Sequence, residues 1–157
     1  MYRTGLSILL LLLASIAGCT YYSFTLESAS KQPVSYEHTV NMTNMRGADM
    51  LMDSYLEKSL SSLGMLSSTP GIPVLHCTII SSTTNEITNI SKTSSNRYRV
   101  FVHVKAVLKD TRGNTLWQSD FSDQGTYSSG GQQEDALDSA LSKIADRIAQ
   151  SIPSADQ

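Results

Sequence analysis

Two cysteines in 157 residues, Cys19 and Cys77, are too few for a disulfide framework. Long hydrophobic runs are missing as well. The longest, Leu6 to Ile16, has eleven residues, and a helix needs about 20 to cross a hydrocarbon core roughly 30 Å thick. Histidine is scarce and scattered: His38, His76 and His103 show no HxH or HxxxH spacing, and no cysteine pair supports a zinc set. No serine lies in a GxSxG elbow, and Gly130-Gly131 lacks the lysine and the flanking strand of a phosphate loop. The carboxylates Glu134 and Asp135 are adjacent, but they stand at a helix start, where the helix dipole accounts for them. These absences argue against an enzyme, a bound metal or another cofactor.

What the N-terminus does have is a leader. Arg3 precedes the apolar run, and Ile16-Ala17-Gly18-Cys19 closes it with small residues. That tetrad resembles the bacterial lipobox, in which the cysteine is acylated and becomes the first mature residue. Each buried methylene of an acyl chain contributes about 0.8 kcal/mol, so several chains hold a protein firmly on a bilayer. Thr20 follows, where bacterial sorting rules usually place aspartate for inner-membrane retention, so the expected address is the outer membrane, facing the periplasm. Residues 1–18 then form a signal peptide, 19–35 a lipidated tether docked through Tyr21, Tyr22 and Phe24, 36–153 a single αβ domain and 154–157 a tail. Losing Arg3 leaves eleven basic residues against fourteen acidic ones, a formal charge of −3. With Cys19 acylated, Cys77 has no disulfide partner and reads as a buried thiol used as a small hydrophobe.

The domain is organised around Arg97 to Lys109, RYRVFVHVKAVLK. Tyr98, Val100, Val102, Val104, Ala106 and Leu108 fall on one side of a period-two pattern, and Arg97, Arg99, His103, Lys105 and Lys109 on the other. Asp110 to Asn114 reads as the turn of a hairpin whose return strand covers 115–121. Tyr36, His38, Val40 and Met42 alternate with Glu37, Thr39, Asn41 and Thr43, which predicts a first strand. Met45 to Leu63 predicts a helix with Ala48, Leu51, Met52, Tyr55, Leu56, Leu60 and Leu63 as its stripe and Gly64 as its C′ residue. Val74 to Ile80 is apolar on both alternations and predicts an interior strand. Residues 81–96 either prolong the adjoining strands as a projecting hairpin or form a loose loop, and 123–132, with three glycines, reads as a loop. Ala136, Leu137, Ala140, Leu141, Ile144, Ala145, Ile148 and Ile152 predict a final amphipathic helix ended by Pro153. The fold class is therefore α+β: two helices packed on one face of a four-stranded mixed sheet, in the order β-α-β-β-β-α. The other face is left bare.

Charge is unevenly spread. Lys92, Arg97, Arg99, Lys105, Lys109 and Arg112 meet only Asp110 between positions 89 and 112, whereas residues 120–157 carry seven acids and two bases. An address outside the cytoplasm excludes nucleic acid, so the anions expected are lipid phosphates, sugar acids or an acidic protein surface.

Several pieces together resemble the LptE family of lipopolysaccharide-assembly lipoproteins: CTYYSF after the lipobox, the helix start VNMTNMRGAD, the block NRYRVFVHVKAVLKDTRGNTLWQSDFSDQGTY and the terminal helix. The resemblance implies a domain that plugs an LptD-type β-barrel, helps it fold and helps deliver lipopolysaccharide to the outer leaflet. It implies no cofactor and a membrane contact through the lipid anchor. Residues 123–132 carry no basic residue where known members place a ligand-contacting lysine, so contact with ligand or partner falls to Lys92, Arg97 and Arg99. The alternative is a lipoprotein activator of a periplasmic peptidoglycan synthase, which would need a longer disordered tether to reach across the periplasm. Mass spectrometry of the chain purified from membranes should show an acylated Cys19 as the first residue; an unmodified Cys19, or a cut elsewhere, would overturn the leader assignment.

Overall fold

The computed structural model describes residues 31–87 and 97–154. Its elements are β1 (Ser35–Tyr36), β2 (Val40–Asn41), α1 (Ala48–Ser62), β3 (Val74–Ile87), β4 (Arg97–Lys109), β5 (Thr115–Ser128) and α2 (Gln133–Ser151). β1 and β2 both pair with β3 in parallel, while β3, β4 and β5 form an antiparallel meander, so the sheet is mixed. The α+β class and the helix-on-sheet arrangement follow the sequence pattern closely.

β4 has the predicted bounds, and its alternation is realised: Val100, Val102, Val104, Ala106 and Leu108 are all buried. Ala136, Leu137, Ala140, Leu141, Ile144, Ala145 and Ile148 of α2 and Met52, Leu56 and Leu60 of α1 close over the same core. Burying one such aliphatic side chain contributes about 1.5–3 kcal/mol, so this layer dominates the stability. The helices lie side by side and run in the same direction, tied by the Tyr55 hydroxyl donating to Asp138 and by Ser59 Oγ donating to Asp146 Oδ1 at 2.6 Å. The bond to Asp138, with burial adding to it, pushes the Tyr55 hydroxyl above its ordinary pKa. Asp138 thus serves an interhelical bond as well as the helix dipole.

Three expectations need correction. The first strand is not continuous. From Tyr36 to Val40 the edge takes four steps while β3 takes three, from Leu75 to Thr78. The extra residue is drawn off by α1: the Thr39 N–H donates to Asp53 Oδ1 at 2.9 Å, and His38 meets Asp49 and Asp53. Past that slip Thr39 is buried, while Val40 is 56% and Met42 69% exposed. Second, β5 runs on to Ser128, through the segment expected to be a loop. Its Gly125 is a packing glycine, since a Cβ there would lie 1.9 Å from the Ala136 carbonyl oxygen, where α2 crosses the strand. Third, Leu63 is 40% exposed. It is the C-cap of a Schellman turn in which Met65 N donates to Leu60 O and Gly64 N to Ser61 O, so Met65 fills the core in its place.

Of the two readings of 81–96, β3 takes the first as far as Ile87, paired with Arg97, after a bulge at Ile79–Ser81; residues 88–96 lie outside the described residues. The β4–β5 turn is held by the Asp110 carboxylate, which accepts from the N–H groups of Arg112 and Asn114 and from Asn114 Nδ2, each at 2.8 Å. Those bonds, led by the Asn114 side chain, hold its carboxyl below the usual carboxylate pKa. The outer edge of β5 is closed by its helix: Arg147 donates to Ser122 O at 3.0 Å, Lys143 to Gln124 O at 3.3 Å, and both face Asp123.

Val102→Asp should abolish folding while His103→Asp is tolerated, because an unpaired buried charge costs several kcal/mol, comparable to a domain's whole stability. Circular dichroism melts giving equal losses would reverse the face assignment. Gly125→Ala should lower the melting temperature more than Gly130→Ala, since only the former drives a methyl group into helix backbone.

Candidate ligand and partner face

The site is the side of the sheet that the helices leave bare. Period two along β4 places Arg97, Arg99, Phe101, His103, Lys105, Val107 and Lys109 on it. Register sets short polar residues on either side: Asn85 and Thr126 flank Arg99, Thr83 and Gln124 flank Phe101, and Ser81 and Ser122 flank His103. The face is a central cationic row between two rows of hydroxyl and amide groups.

The two arginines expected to carry contact sit together at the end that leads into the 88–96 segment. Arg97 is exposed and borders a depression of about 290 Å³ with Ser128 and Asp135. The Arg99 guanidinium lies 5.6 Å over the centre of the Phe101 ring, a cation–π contact, and its Nε has no hydrogen-bond partner among the described residues. The contact holds the guanidinium beside Phe101 on the bare face. Lys92, the third expected contact, and Cys19, the expected lipid site, lie outside the described residues. Phe101 was missed by reading charge alone. Its parity with Arg99 and His103 was the available signal, since an aromatic on the polar side of an amphipathic strand has no core to fill.

The remaining cations are less uniform than the sequence implies. Asp120 stands opposite Lys105 in the register and 3.3 Å from His103, and Glu37 lies 3.0 Å from His76. Asp120 comes from β5 and Glu37 from the break between β1 and β2, which a count along one segment does not see. The histidines do not converge; His38 sits in the break between β1 and β2, and each of the three faces a carboxylate. Among the described residues there is no group of three His, Cys, Asp or Glu arranged to hold a metal ion. Burial pushes the Cys77 thiol up to about 12, so it stays protonated and unreactive at neutral pH.

The fold recurs in solved structures of low sequence identity. A minor lipoprotein from Acinetobacter baumannii is 16% identical with a TM-score of 0.55, covering 77% of this chain and 91% of its own. A neuraminyllactose-binding hemagglutinin homologue from Helicobacter pylori is 10% identical at 0.54, covering 78% and 83%. A PelC dodecamer variant from Paraburkholderia phytofirmans is 17% identical at 0.50, covering 81% and 89%. At these identities the likeness is one of fold. No curated protein matches the sequence. The family model for lipopolysaccharide assembly matches residues 26–152, which take in every helix and strand described above, and the chain therefore belongs to the LptE family.

Proposed function

We propose that this member of the family is an outer-membrane lipoprotein, anchored through Cys19 and facing the periplasm, that seats as a plug in an LptD-type β-barrel. It helps the barrel fold and helps pass lipopolysaccharide to the outer leaflet. It acts by binding, without catalysing a reaction. The observation that carries this reading is the bare face of β3, β4 and β5, laddered along its length and lined mainly by polar side chains with Phe101, Val107 and Leu116 among them, behind which both helices are packed away. The inner wall of a membrane barrel is polar, and such a face meets it without burying unsatisfied backbone groups. Arg97, Arg99 and Lys92 supply the contact to phosphate or to the barrel wall, because guanidinium groups bond phosphate bidentately.

The test is the triple variant Lys92→Glu, Arg97→Glu, Arg99→Glu. Its circular dichroism spectrum should match that of the unmutated chain, while affinity for lipopolysaccharide should fall at least about tenfold. Less of a large β-barrel should co-purify with it from detergent-solubilised outer membranes. Binding by the unmutated chain should also weaken with salt, as exposed charges are screened over about 10 Å at 0.1 M. A triple variant that binds lipopolysaccharide and supports barrel assembly as well as the unmutated chain would reduce these residues to a solvated strand end.

A further inference from the structure

The extra residue between Tyr36 and Val40 separates the edge from β3 and opens a cleft of about 340 Å³ onto the bare face, at the opposite end of β4 from Arg97 and Arg99. Lys105 and Lys109 form one wall with Val107 between them, Val40 forms the other, and Thr78 lies between β2 and β4. Two carboxylates share this ground, and each is turned toward a histidine: Glu37 Oε2 lies 3.0 Å from His76 Nδ1, and Asp120 Oδ1 lies 3.3 Å from His103 Nε2. Neither lysine has a carboxylate within salt-bridge distance among the described residues. The cleft therefore offers two ammonium groups, a hydroxyl and two aliphatic walls, with Glu37 at its rim turned to His76, which suits a phosphodiester on a short aliphatic backbone.

Its position indicates the source. Lys109 pairs with Val74, which pairs with Ser35, so this is the end of the sheet where the chain enters the domain. Eleven residues lie between Cys19 and Lys31, a stretch that reaches at most about 40 Å when extended. We propose that this cleft is a phosphate site filled by the headgroup of an anionic glycerophospholipid in the anchoring leaflet, with Lys105 and Lys109 as its ligands. It rests on Cys19 being the lipid anchor and is independent of the contacts assigned to Arg97 and Arg99.

The acylated chain, purified in a non-ionic detergent, is titrated with phosphatidylglycerol, phosphatidylcholine or lipopolysaccharide and read by native mass spectrometry. Phosphatidylglycerol adducts should form at lipid concentrations at least about tenfold lower than phosphatidylcholine adducts, as expected for two ammonium groups at an anionic headgroup. The preference should disappear in Lys105→Glu/Lys109→Glu, shrink in Lys105→Gln/Lys109→Gln, and persist in Arg97→Glu/Arg99→Glu, with circular dichroism confirming the fold of each. Equal adducts of the two phospholipids, or a preference that survives the lysine variants, overturns the site. Loss of lipopolysaccharide adducts alone in the lysine variants overturns the lipid source. The mass of the unliganded chain reports separately whether Cys19 is acylated.

Discussion

One row of side chains, Val100 to Leu108 on the dry side of β4, sets the terms for the rest of the molecule. Because β4 lies inside the sheet, that row can be covered only from above, and two helices are needed for its width. α2 lies over β4 and β5, and α1 lies beside it toward the β1 and β2 edge. The Tyr55–Asp138 and Ser59–Asp146 bonds run between the helices, so polar groups at their seam are paired where water is scarce. A residue at the sheet that brings α2 closer also tightens its contact with α1, and this is the sense in which Gly125 belongs to the core although it has no side chain.

The same two helices shape both edges of the sheet. α2 sends Arg147 and Lys143 across the outer carbonyls of β5, and α1 uses Asp53 to take the Thr39 N–H away from β3. Exposed edges invite a second chain to pair with them. Covering the β5 edge while leaving one face bare directs docking there to side chains on that face.

On the bare face, electrostatics are arranged across strands. Glu37 and Asp120 are turned toward His76 and His103, and neither lies within salt-bridge distance of Lys105 or Lys109 at that end of β4. Arg99 is further confined by stacking on Phe101. A face with its charges at the ends and a polar middle can meet two anions far apart, or one anion and a polar wall.

The sequence by itself determined the periodic elements: the bounds and faces of β4, the stripe of α2, the Gly64 stop of α1 and the basic side on which function was sought. Each follows from near-neighbour physics, the alternation of a strand, the turn of a helix and the backbone freedom of glycine, and needs no knowledge of what packs against it. Only the tertiary structure decided the rest. The edge strand slipped because Asp49 and Asp53, on a helix later in the chain, competed for its donors. Gly125 continued a strand because the backbone of α2 had to pass there. Leu63 yielded its place to Met65 through the geometry of the helix stop. Asp120 and Glu37 altered the charge of a face to which they are not sequence neighbours. Apart from the helix stop, the deciding partner in each case lies on another element, where the sequence pattern of one segment does not register it.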